Sequence, residues 1–184
     1  MEECAYRRFA VIGASGSGKS TLARRVADAL KLDHIELDAL FWEAGWKEAS
    51  PEDFRGRAET ATRAPAWIVD GNYDRVRDIV WPRAEAVLWL DYSLPLVFRR
   101  LTWRILRRAV TGEVLWNGNR ESFWWHLKLW SDVSLFNWLF KTYWRYKRAY
   151  PLLLAEPAHA HLAVIRHRSP RETDAWLERI ASIS

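Results

Sequence analysis

The chain has 184 residues, with 28 basic and 23 acidic side chains, a net charge of +5, 49% hydrophobic residues and one cysteine. That length suits one domain spanning 1–184 with its own core, and the apolar content argues against general disorder. A single thiol excludes an internal disulfide framework and a cysteine-rich zinc site, and it fits a reducing, cytoplasmic setting.

No membrane span is expected. The longest uncharged run in the aromatic region, Val133 to Phe140, falls far short of the ~20 apolar residues a spanning helix needs. The apolar start, Phe9 to Ile12, leads into glycines and not into a signal-peptide cleavage site. Charge is unevenly placed: from Arg99 to Arg148 stand eleven basic and three acidic residues, +8, which leaves −3 for the remainder. A basic segment on a mildly acidic body suits an anionic ligand, either nucleotide phosphates or a polyanion.

In chain order, Arg7 to Ile12 reads as a buried strand. Thr21 to Leu30 reads as an amphipathic helix with Leu22, Val26 and Leu30 on one face. His34 to Asp38 reads as a second strand. Asp53 to Arg63 reads as a helix entered through Ser50-Pro51-Glu52-Asp53, with Ser at the N-cap and Pro at the first helical position. Trp67 to Val69 is a strand stopped by Asp70-Gly71-Asn72, and Ala86 to Leu90 is another, ending at Asp91. Leu94 to Arg108 is helical, His161 to Arg166 is the last strand, and Ser169-Pro170-Arg171-Glu172 repeats the N-cap signature before a helix ending near Ile180. Strands alternating with helices predict α/β architecture with a mainly parallel sheet. The aromatic stretch Trp116 to Tyr150 is predicted to be an inserted helical pair.

Gly13-Ala14-Ser15-Gly16-Ser17-Gly18-Lys19-Ser20 fits G-x-x-x-x-G-K-[ST], straight after a strand and at a helix start. Glycines let backbone N–H groups converge on phosphate oxygens, and the helix adds the positive end of its dipole. The expected nucleotide-binding set is Gly13, Ala14, Ser15, Gly16, Ser17, Gly18, Lys19, Ser20 and Thr21. Lys19 would reach the β and γ phosphates, and Ser20 would ligate Mg²⁺. Asp70, at a strand end, is the second candidate for Mg²⁺, with a turn cap as its other reading. Asp91 is read as a turn aspartate. Asp38, taken as the end of the second strand, either orients or deprotonates an acceptor in the crevice beyond the strand ends, or caps the next segment.

On the Leu94 helix, Leu94, Val97, Leu101 and Ile105 form an apolar stripe, and Arg100, Arg104 and Arg107 an adjacent basic one. Guanidiniums so placed could clamp phosphates and neutralise developing charge; otherwise they form a solvated face. Arg120, after the turn Gly118-Asn119, is a candidate lid arginine or a surface partner of Glu121. The aromatic residues, Trp116, Trp124, Trp125, Trp130, Trp138, Trp144, Phe136, Phe140, Tyr143 and Tyr150, are read first as helix packing. Base stacking on nucleic acid, a homo-oligomer interface and membrane-surface contact are the other readings. His159 and His161 are read as surface residues.

The phosphate loop, Val69-Asp70-Gly71-Asn72-Tyr73, Val87-Leu88-Trp89-Leu90-Asp91, the arginine-rich helix and Leu115-Trp116-Asn117-Gly118-Asn119-Arg120-Glu121 together resemble the FlaR-type "DNA topology modulation" proteins, adenylate-kinase-related P-loop proteins. The likeness covers nearly the whole chain. It implies a P-loop nucleoside triphosphate hydrolase fold with a five-stranded parallel sheet flanked by helices, adenylate-kinase-like with an aromatic helical insertion, and use of ATP and Mg²⁺. Asp70-Gly71 is similar to the Asp-Gly after the third strand of adenylate kinases, but Asn72-Tyr73-Asp74 stands where those have Phe-Pro-Arg, which argues against AMP as acceptor.

Three functions fit: a Mg²⁺-dependent kinase moving the γ-phosphate of ATP to a small-molecule acceptor, nucleotide or nucleoside-like; an ATP-dependent, DNA-associated regulator; and an NTPase acting through conformational change. Clustered arginines after the fourth strand suit the kinase, with Lys19, Arg104, Arg120 and Asp38 as its catalytic candidates and the segment 94–150 as its basic, aromatic lid and insertion. No DNA-docking motif and no guanine-reading Asn-Lys-x-Asp is visible.

Overall fold

Short apolar runs become the central strands. A computed structural model describes residues 6–119 and 135–182. In chain order these form β1 (Arg8–Gly13), α1 (Lys19–Leu30), β2 (Asp33–Glu36), α2 (Leu37–Phe41), the hairpin β3 (Trp42–Glu43) and β4 (Lys47–Glu48), and α3 (Pro51–Ala61). Then come β5 (Trp67–Asp70), α4 (Arg77–Val80), β6 (Ala86–Leu90), α5 (Leu94–Thr111), α6 (Leu135–Leu154), β7 (Ala163–His167) and α7 (Pro170–Ala181). Five strands make a parallel sheet in the order β2-β5-β1-β6-β7.

The alternation of side chains along each strand divides the core between the two faces of this sheet. Phe9, Val11, Ile68, Leu88 and Leu90 pack with α1, α5 and α7 through Leu22, Val26, Val97, Leu101, Ile105, Trp176 and Ile180. Ala10, Ile12, Trp67, Val69, Val87 and Trp89 pack on the other face with Phe41, Phe54, Val76 and Trp81. β5 and β6 are buried along their whole length, which is why they read as continuous apolar runs. Helix α6 serves both layers: Leu139 and Tyr143 join the first, Tyr146 and Tyr150 the second.

The caps follow the sequence. Ser50 Oγ accepts from the Asp53 N–H at 3.0 Å, and Ser169 Oγ accepts from the Glu172 N–H at 3.3 Å. Several expectations are corrected. β2 stops at Glu36, so Asp38 does not end a strand; it lies in the first turn of α2. Trp116–Gly118 is a single 3₁₀ turn held against α2 and the hairpin, not the start of a long helix, and α6 runs past Tyr150 to Leu154. Trp124, Trp125 and Trp130 lie outside the described residues. Packing accounts for Tyr143, Tyr146 and Tyr150, which are buried, whereas Trp138, Phe140 and Trp144 are about half exposed. His159 is not a plain surface group: its Nδ1 lies 2.7 Å from the Leu153 carbonyl, and its ring meets Trp81 edge-on. Asp91 is tied by Arg166 and Lys147, in keeping with a structural role. Among the described residues no helix is long and apolar enough to cross a membrane.

Leu139 is fully buried beneath α6, so Leu139→Ala is expected to cost about 2–5 kcal/mol. Urea unfolding checks this through a lower midpoint at unchanged slope.

Candidate active site

The loop from Gly13 to Ser20 links the end of β1 to the first turn of α1. Its conformation needs glycine at two positions, one for a close approach and one for a left-handed turn. Gly16 has φ +83°, and a Cβ there would stand 2.6 Å from the Val97 carbonyl and 2.9 Å from Leu101 Cβ on α5. Gly18, at φ +97°, is the N-cap of α1. The loop is also gripped from outside. Arg100 Nη1 donates to the Ser17 carbonyl at 3.0 Å, with its guanidinium over the ring of Tyr92. Asn72 holds Gly13 from both sides: its Oδ1 accepts from the Gly13 N–H at 3.3 Å, and its Nδ2 donates to the Gly13 carbonyl at 2.5 Å. Asn72 stands within the departure from the adenylate-kinase pattern, and this contact gives that departure a use. Nothing in the linear pattern pointed to it, because the contact depends on β5 lying beside β1.

The register Val11↔Asp70 brings the end of β5 next to the loop. Ser20 Oγ donates to Asp70 Oδ1 at 3.4 Å, so the two side chains expected to lie close together do so. Asp70 is buried, and its Oδ2 lies 2.9 Å from Nε2 of His34, a residue not singled out in the sequence. A serine hydroxyl and a carboxylate are hard oxygen donors. Two such groups, with waters completing the shell, would suit Mg²⁺, which sheds its hydration reluctantly.

Lys19 Nζ donates to the Gly13 and Ala14 carbonyls at 3.0 and 3.2 Å. Burial lowers its pKa; the charges of Asp70 and Asp38 pull the other way, and Arg104 adds to the lowering. Asp38, although off the strand, still faces this group. Burial raises its pKa, opposed by a hydrogen bond from the Tyr73 hydroxyl and by the charges of Lys19 and Arg104. Burial and the Asp38 charge push the Tyr73 phenol far up, so it stays a donor. Gly71 lets the two elements meet: a Cβ there would stand 2.9 Å from Leu37 Cβ.

Of the arginine stripe, Arg100 grips the loop and Arg104 acts electrostatically on both Lys19 and Asp38, while Arg107 turns away to pair with Glu113 at 2.8 Å. Thr21 is exposed in the first turn of α1. Arg120 lies outside the described residues. The segment just before it docks on the stretch of chain that flanks Asp38. Trp116 Nε1 donates to Glu36 Oε2 at 2.7 Å, Asn117 Nδ2 to the Trp42 carbonyl at 2.5 Å, and Asn119 Nδ2 to the Glu43 carbonyl at 2.8 Å. Asn119 Oδ1 accepts from the Trp46 N–H at 2.9 Å.

No family model matches the chain, and no curated protein matches it. Solved structures share its fold. A shikimate kinase from Acinetobacter baumannii in complex with shikimate aligns over 96% of this chain and 92% of its own, at 15% identity and a TM-score of 0.54. A shikimate kinase from Bacteroides thetaiotaomicron aligns over 97% and 98%, at 16% identity and a TM-score of 0.52. A sugar kinase from Janibacter sp. aligns over 96% and 92%, at 22% identity and a TM-score of 0.52. The chain shares the fold of these kinases, a five-stranded parallel sheet flanked by helices with the Gly13–Ser20 loop between β1 and α1.

A methyl group at Gly16 collides with α5 backbone in a conformation that L residues rarely adopt. Gly16→Ala is expected to weaken ADP binding at least about tenfold, a loss of roughly 1.4 kcal/mol, as read by calorimetric titration of the folded variant.

Proposed function

We propose that the chain is an ATP-dependent kinase that phosphorylates a hydroxyl group of a small molecule, with the acceptor seated over Asp38. The observation that carries this reading is the Asp38 carboxylate, held by Tyr73 and within electrostatic reach of Lys19 and Arg104. An acceptor hydroxyl must lose its proton as its oxygen bonds to phosphorus, and a carboxylate in the crevice can take it. An acceptor phosphate is already anionic, needs no base and is repelled by that same carboxylate. The acceptor is therefore a hydroxyl compound, a nucleoside included, and a nucleotide accepting through its phosphate is disfavoured. The fold-level likeness to shikimate and sugar kinases supports the same acceptor class. The FlaR-type resemblance supports the P-loop kinase core.

In this reading the loop amides and Lys19 bind the β and γ phosphates, and the Asp38 carboxylate accepts the acceptor proton. The bond from acceptor oxygen to γ-phosphorus forms as the bond to the ADP oxygen breaks. Arg104 stabilises charge on the transferring group, and Arg120 is proposed to join it from the lid. Ser20 and Asp70 would hold Mg²⁺, which would supply charge neutralisation to the bound phosphates. Tyr73 keeps Asp38 oriented by donating to it.

The test starts with ATP consumption screened against sugars, polyols, hydroxy acids, nucleosides and nucleotides. Lys19→Ala is expected to abolish turnover while the fold persists. On a hydroxyl acceptor, Asp38→Asn should lose at least ~10²-fold in kcat, and Arg104→Ala should lower kcat more than nucleotide affinity. Full-rate turnover by Asp38→Asn on such an acceptor overturns the assignment.

The pH response follows from the raised Asp38 pKa. The base is ionised only above that value, so the rate falls as pH drops through it, and Asp38→Asn loses this acid limb. A carboxyl with a raised folded pKa holds its proton more tightly folded than unfolded, so its contribution favours folding at low pH and is lost as pH rises through the raised value. Asp38→Asn is therefore expected to melt no lower than the parent at neutral pH, checked by calorimetry.

A further inference from the structure

Both carboxylate oxygens of Asp70 are engaged. Oδ1 faces the Ser20 hydroxyl at 3.4 Å, and Oδ2 faces His34 Nε2 at 2.9 Å. The two side chains come from neighbouring strands, β2 and β5, paired in the register His34↔Ile68 and Glu36↔Asp70. The side chains of His34 and Asp70 are 15% and 3% exposed, so water competes little for this contact.

We propose that His34 is a positioning residue for the Mg²⁺–nucleotide site: its Nε2–H holds Asp70 Oδ2, and that keeps Oδ1 aimed at Ser20. This rests on the reading of Ser20 and Asp70 as the Mg²⁺ pair. Asp70 needs such a holder for two reasons. The terminal torsion of an aspartate is broad, so its backbone alone does not orient the carboxylate. The charge of Lys19 also pulls on the same group. The imidazole is itself steadied. Its Nδ1 faces Glu36 Oε1 at 3.9 Å, and Glu36 is held by the Trp116 indole at 2.7 Å and faces Arg24 at 3.7 Å. Outer groups that orient metal-binding side chains commonly contribute ~10–100-fold in metal affinity.

The experiment is calorimetric titration of the full chain with ADP, once with Mg²⁺ and once with EDTA, alongside the melting temperature of each variant without ligand. The wild type is expected to bind ADP more tightly with Mg²⁺. His34→Ala is expected to lose roughly tenfold or more of that enhancement, with its affinity in EDTA unchanged. His34→Gln is expected to restore it, because the glutamine amide N–H reaches the place of Nε2. His34→Leu, which keeps bulk on β2, carries the same expectation as alanine where alanine does not fold. Wild-type enhancement in the alanine or leucine variant overturns the proposal. So does an equal loss with Mg²⁺ and with EDTA, which marks His34 as support for the loop. Absence of any Mg²⁺ enhancement in the wild type overturns the Ser20–Asp70 reading itself, and the proposal with it.

Discussion

The fold depends on how closely backbone can approach backbone around the phosphate loop. Gly16 lies against the first turns of α5, and Gly13 lies against the Leu90 carbonyl, where a Cβ would stand 2.8 Å away. Neither approach survives a side chain. Once the loop is seated, α5 must lie across it, and Arg100 is brought over Ser17 and Arg104 toward Lys19. β1 must be central, with β5 on one side to deliver Asp70 and Asn72 and β6 on the other to receive Gly13. The core on both faces of the sheet then keeps these strands from sliding.

Charge within the site is balanced by pairing and distance. Lys19 and Arg104 stand against Asp38 and Asp70, and each group feels the others through a buried interior. Burial works against both signs at once: it lowers the lysine and raises the aspartate. The hydroxyls of Tyr73 and Ser20 donate to Asp38 and Asp70 without adding a second full charge at the same spot, and the His34 ring stands beside Asp70.

Much of the architecture was legible in the sequence because its signals are local. The strand runs at Arg8–Gly13, Trp67–Asp70 and Ala86–Leu90, the Ser50 and Ser169 caps and the stripe Val97, Leu101 and Ile105 all follow from neighbours within a turn or two. The nearness of Ser20 and Asp70 was also legible, since a loop motif and a strand-end carboxylate suffice to expect it. Three features were not. The Asn72 grip on Gly13 and the His34 contact with Asp70 exist only because β5 sits between β1 and β2, which no spacing along the chain records. The end of β2 was misjudged because Ile35, Leu37 and the intervening polar residues alternate like a strand while Leu37–Phe41 closes into one helical turn.

The strap formed by Trp116, Asn117 and Asn119 gives the region around Asp38 an unusual dependence. It bonds Glu36, Trp42, Glu43 and Trp46, the stretch of chain that flanks Asp38, yet it follows directly on the arginine helix. The surroundings of Asp38 are thus written in two places, some seventy to eighty positions apart in the chain. Transplanting residues 37–48 into a related scaffold moves only half of them. An exchange of this region between such proteins, by recombination or by design, has to carry both pieces together.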